Sequence, residues 1–170
     1  MRGGSWPAPA LDDEEEPHRR RGEQELPPGA RDTERAVSAE NVEVARKLYE
    51  LFARRDIAAA FPDYAHPDFE LRVPPLYPDA PEVFRGPKGV EAWIAMIDEA
   101  WAEWRFEPER YLEAGSTVVV LARLVAEGGS SGIHLERDVA HLWVFDNGRA
   151  TGIRVYLDRA EALEAAGLQE

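Results

Sequence analysis

A histidine in the middle of an apolar strand is the side chain of this sequence best suited to chemistry. His141 lies within the segment Ile133 to Phe145, and an imidazole can take and return a proton near neutral pH. Alternate residues of a strand share a face, so Leu135, Arg137, Val139, Trp143 and Phe145 accompany it. The plainer alternative is a packed histidine bonded to a backbone carbonyl, or one lying in a dimer face. Arg123 on the preceding strand would face Arg137 across the symmetric loop 128–132. Two like charges so placed repel unless an anion lies between them, which points to a weakly acidic ligand. A one-residue slip of register, or pairing with Glu127 and Glu136, removes that conflict. Glu70 and Arg72 share a face of another short strand, as a surface ion pair or as polar groups beside a pocket.

Other chemistries have less to stand on. His134 and His141 are an odd number of positions apart and point to opposite sides of their strand, so they cannot chelate together. His66 precedes Pro67 at a helix-to-strand corner and His18 lies far upstream; no metal is expected. No Gly-rich loop leads from a strand into a helix and no Ser-His-Asp ordering stands out, so no cofactor is expected either. The absence of cysteine excludes thiolate nucleophiles, redox pairs and disulfides. With 33 acidic against 20 basic residues and a net charge of −13, the chain repels phosphate backbones and acidic membrane surfaces; nucleic-acid binding is not expected. No stretch approaches the roughly 20 apolar residues needed to span a bilayer, and the first residues lead into acids rather than an apolar signal core. The expectation is a cytoplasmic protein.

These side chains need a scaffold, and the periodicity supplies one. Residues 1–37 are rich in proline, glycine and mixed charge, which predicts a disordered tail before a domain over 38–170. Ser38 is a good N-cap, and Val42, Ala45, Leu48, Tyr49 and Phe52 recur at helical spacing, with Glu43 and Lys47 as an outer i,i+4 pair. A short helix over 57–64 follows, then a strand over 68–73 with Phe69, Leu71 and Val73 on one face. The proline-rich piece 74–87, which carries Tyr77, is long for a compact domain and is a candidate rim over a site. Val90, Trp93, Ile94, Ile97 and Trp101 stripe the next helix. Strands are predicted over 106–113, 116–127, 133–145 and 150–157, the last two joined by the hairpin signal Asp146-Asn147-Gly148-Arg149. Asp158 with Glu161 then opens a terminal helix ending at Gly167.

This order describes an α+β fold: a curved antiparallel sheet wrapped around helices as a cone. It resembles the nuclear transport factor 2-like superfamily, and within it the SnoaL-like proteins. The resemblance is carried by NVEVARKLYELFARRD, HPDFE, FRGPKGVEAWI and HLWVFDNGRATGIRVYLDRAEALEAAGL, and covers about Ser38 to Gly167. It implies a cavity inside the cone, a homodimer through the outer sheet, and a function that fold alone does not choose. Ketosteroid isomerases of this superfamily use a helix tyrosine, a strand carboxylate base and a late-strand aspartate. Those positions fall here on Leu48, on Arg72 or Val73, and on His141, so that pattern fails. The epoxide hydrolase pattern, an arginine flanked by two aspartates, fails at Arg123 and Arg137 as well. SnoaL-like cyclases pair a carboxylate with a histidine in an apolar cavity, a partial match. On that resemblance His141 would exchange the proton, Glu70 would be the second acid/base group, and Tyr49 and Arg123 would stabilise negative charge. Arg72, Tyr77, Trp93, Trp101 and Trp143 would contact a small, mostly apolar or weakly acidic molecule. A noncatalytic binding or dimerisation domain, its cone filled by its own aromatic side chains, is the competing reading, and five tryptophans in 170 residues favour it.

Overall fold

The computed structural model describes residues 28–75 and 78–169. In chain order the elements are α1 (Pro28–Ala53), α2 (Ile57–Ala60), β1 (Ala65–Arg72), β2 (Val83–Arg85) and α3 (Gly86–Ala100). They are followed by β3 (Glu103–Ala114), β4 (Thr117–Glu127), β5 (His134–Asp146), β6 (Arg149–Tyr156) and α4 (Arg159–Ala165). The six strands form one open, curved sheet in the order β2-β1-β6-β5-β4-β3. Every neighbouring pair is antiparallel except β1 and β6, which run parallel.

Strand alternation divides the sheet into two faces with different partners. One face carries Val118, Val120, Trp143 and Ile153 and buries them against Ala45, Leu48 and Leu51 of α1, Ile57 of α2, and Val90 and Trp93 of α3. The other carries Val119, Leu121, Ala140 and Leu142 and is capped by Ala162 and Leu163 of α4. β4 and β5 are therefore apolar on both faces along this stretch, which is why VVVLA in β4 reads as a continuous apolar run rather than an alternation.

The β5–β6 turn has both central residues in the left-handed region, Asn147 at φ 50° and Gly148 at φ 77°, the arrangement the hairpin signal requires. Asp158 caps α4 by accepting hydrogen bonds from the backbone N–H groups of Ala160 and Glu161. α3 starts directly behind β2, and Gly89 permits that close approach: a Cβ there would stand 2.8 Å from the Phe84 carbonyl carbon.

Some expectations need correction. α1 begins at Pro28, not at Ser38, which lies inside the helix; Arg35, Ala36, Ala39 and Glu40 are exposed helix formers, and no breaker interrupts them. Residues 1–27 of the expected tail lie outside the described residues. The expected Glu43–Lys47 pair is replaced by two i,i+3 pairs, Glu43 with Arg46 and Lys47 with Glu50. The proline-rich piece contains a short edge strand, β2, because Phe84 finds a buried site opposite Leu71.

Candidate functional site

Inside the cone lies a cavity of about 70 Å³ walled almost wholly by carbon. Leu48, Tyr49 and Phe52 of α1 form one side, Phe69 and Leu71 of β1 another, and Trp93 of α3 and Phe106 of β3 a third. His141 and Trp143 of β5 line it from the sheet, and no residue lining it carries a carboxylate, an ammonium or a guanidinium.

The polar chemistry of this wall is a three-residue chain. Trp143 Nε1–H donates to the Tyr49 hydroxyl oxygen at 3.1 Å, and the same hydroxyl lies 2.5 Å from His141 Nδ1. With the indole already donating to the tyrosine oxygen, the phenolic proton is best placed toward Nδ1, which then accepts. This assignment, made from the network, puts the imidazole proton on Nε2. His141 is 1% exposed, and its Nε2 has no partner among the described residues. The Phe106 ring stands perpendicular to the imidazole, with centroids 4.6 Å apart.

Electrostatics fixes the protonation state. Burial lowers the His141 pKa to about 3, because an imidazolium there would lose its hydration with no anion beside it. Burial also raises the Tyr49 phenol well above its ordinary value, although the Trp143 hydrogen bond pulls the other way. At neutral pH the pair is thus a neutral imidazole hydrogen-bonded to a neutral phenol. The arrangement leaves one hydrogen-bond donor, Nε2–H, buried and unpaired in an apolar wall, the kind of group that can polarise an acceptor oxygen brought to it.

The structure brings together His141, Tyr49, Trp93 and Trp143 from the set the sequence suggested. Glu70 is elsewhere. Its neighbours Phe69 and Leu71 line the cavity, so alternation turns Glu70 to the opposite face, where it pairs with Arg72 at 3.3 Å and Arg85 at 3.0 Å. Arg72 shares that outer face. Arg123 is paired in register with Asp138, not Arg137, because the β4–β5 ladder is offset by one residue from the symmetric expectation. It lies among Glu109, Glu136 and Asp138, so the anticipated like-charge conflict does not arise. Trp101 closes the C-terminal end of α3 and packs against the core without lining the cavity. Tyr77 lies outside the described residues. Residue types had not singled out the Phe106 edge or the linking role of the Trp143 indole; the shared parity of Trp143 and His141 on β5 was the available signal.

Among the described residues, no group of three His, Asp or Glu side chains is placed to hold a metal ion, and no helix is long and apolar enough to cross a membrane.

Comparison with solved structures shows the same fold. The chain is similar to TerC co-crystallised with polyporic acid (24% identity, 75% of this chain and 98% of that chain, TM-score 0.63). It is similar to an NTF2-like protein of unknown function from Burkholderia pseudomallei (27% identity, 75% and 97%, TM-score 0.60). It also resembles a protein of ketosteroid isomerase-like fold from Catenulispora acidiphila in complex with trimethylamine (14% identity, 75% and 94%, TM-score 0.58). A search of curated proteins gives no match. The family model described as the SnoaL-like domain matches residues 45–153, a span that runs from the middle of α1 to β6 and includes Tyr49, Trp93, His141 and Trp143. The chain belongs to the SnoaL-like domain family.

Proposed function

We propose that this protein binds a small, mostly apolar molecule inside the cone and holds an oxygen of it against His141. The observation that carries this reading is the unpartnered His141 Nε2, buried at the wall of an otherwise apolar cavity. An orphaned buried donor costs about 1–3 kcal/mol, a penalty that a ligand acceptor would relieve. Relatives of the same fold crystallised with polyporic acid and with trimethylamine support a small-molecule reading.

Any chemistry here would favour reactions that build negative charge on a substrate oxygen, such as isomerisation, cyclisation or dehydration. Tyr49 orients the imidazole and holds its tautomer, while His141 acts as a neutral donor. A base of pKa about 3 takes a proton poorly at neutral pH. Glu70 and Arg123, across the sheet from the cavity, are not part of this proposal.

A second reading is favoured by size. A cavity of about 70 Å³ is well below the roughly 300–1,000 Å³ of drug-sized ligand pockets, as expected of a binding or dimerisation domain filled by its own aromatic rings. Native mass spectrometry of gently purified protein separates the two. A reproducible extra mass that disappears in His141→Ala supports ligand binding; wild-type protein that is empty and stays empty with added small ketones overturns it. The same spectrum checks the homodimer expected from the family resemblance.

A further inference from the structure

The tryptophans of the core are not equivalent. Trp104 Nε1–H donates to Asp98 Oδ1 at 2.6 Å, and Trp143 Nε1–H donates to Tyr49. Trp93 Nε1 is buried and has no partner among the described residues, although Trp93 is 4% exposed and lines the cavity. A buried indole N–H without an acceptor is disfavoured in the same way as the His141 Nε2–H. Its ring is fixed by Phe52, Trp104 and Phe106, at centroid distances of 5.8, 5.6 and 6.3 Å. Phe106, parallel to Trp93 and perpendicular to His141, sits in ring contact with both and ties the two orphaned donors into one wall.

We propose that Trp93 is a specificity-determining residue: with His141 it offers two N–H donors, and the cavity thereby selects a small neutral ligand with carbonyl-type oxygen acceptors. The inference rests on the ligand-binding reading above and adds the chemistry of the ligand. The tyrosine hydroxyl is already occupied, its oxygen accepting from Trp143 and its O–H donating to His141, and the remaining lining side chains are hydrocarbon or aromatic. A hydroxyl or amine on the ligand would therefore bury its own proton without an acceptor. A carboxylate would enter a site with no cation on its walls. The weakly acidic ligand expected from Arg123 facing Arg137 is accordingly disfavoured, since Arg123 is in register with Asp138 and neither arginine lines the cavity.

The test is a ¹⁵N–¹H titration of the full chain with cyclohexanone, cyclohexanol and methylcyclohexane, following the tryptophan indole N–H signals, with that of Trp93 identified by its loss in Trp93→Phe. The expected result is a downfield shift of the Trp93 indole proton with cyclohexanone, and cyclohexanone binding about three- to tenfold tighter than cyclohexanol, the range one hydrogen bond supplies. Trp93→Phe should weaken cyclohexanone by a similar factor while methylcyclohexane still binds, which shows that the cavity survives the substitution. If cyclohexanone binds without moving the Trp93 signal and equally well to Trp93→Phe, the role of Trp93 is overturned while the cavity reading stands. If none of the three probes perturbs any residue of the cavity wall, both fall.

Discussion

Replacing His141 by glutamine should change how stability depends on pH. In the unfolded chain the imidazole titrates at its ordinary value near 6.5, whereas burial holds it near 3 in the folded protein. Between these values the unfolded state binds a proton that the native state refuses. Stability contributed by the neutral histidine is therefore complete above about pH 6.5 and is lost progressively as the pH falls toward 3. The slope approaches about 1.4 kcal/mol per pH unit, so the step from about pH 7.5 to 5.5 should cost about 1.4 kcal/mol through this residue alone. His141 is 1% exposed, so solvent screening takes little from that figure. Remaining above pH 5.5 keeps the chain clear of its isoelectric point near 4.8, where solubility fails. Urea unfolding of wild type and His141→Gln at both pH values is the assay. Carboxylates and the other histidines contribute equally to both proteins and cancel in the difference. A wild-type advantage that stays constant within about 0.3 kcal/mol, on a slope that should reach about 1.4 kcal/mol per pH unit, would refute the argument. So would an NMR titration of the native His141 ring near pH 6.5.

Tyr49→Phe leaves His141 Nδ1 and the Trp143 indole N–H without their shared partner; a loss of about 2–4 kcal/mol is expected from the urea midpoint. Glu70→Gln removes one surface carboxylate from the pairs with Arg72 and Arg85 and should cost at most about 1 kcal/mol. It should also leave cyclohexanone binding unchanged; a tenfold loss would return Glu70 to the site. Gly89→Ala sets a helix-propensity gain of about 1 kcal/mol against a Cβ 2.8 Å from the Phe84 carbonyl carbon. Because the obstacle is backbone and not a mobile side chain, the clash should win and thermal unfolding should move to lower temperature.

Local pattern determined much of this protein. The Asn147-Gly148 turn, the Asp158 cap, the alternation of Phe69 and Leu71 and the apolar stripe of α3 each depend on neighbours within a few residues, and each forms as the sequence predicts. The family resemblance, carried by the long stretch from His141 onward, placed the histidine inside the cone. What local pattern misjudged were choices between near-equal options: helix continuing before Ser38, Glu43 pairing with Arg46 instead of Lys47, and Arg123 in register with Asp138 instead of Arg137. Offsets of one residue leave composition untouched yet turn a supposed anion site into a surface ion-pair network.

Only the tertiary structure decided which polar atoms meet. Tyr49 and His141 are 92 positions apart, and Trp93 and Trp104 are both buried in the same core cluster. Yet one indole finds a carboxylate while the other ends beside the cavity with none. Sequence alone specified that a histidine and several tryptophans would be buried, because burial follows from apolar periodicity. Whether each buried N–H is satisfied depends on directions and separations of a few ångströms across packed elements, and those exist only once the sheet has curved around its helices.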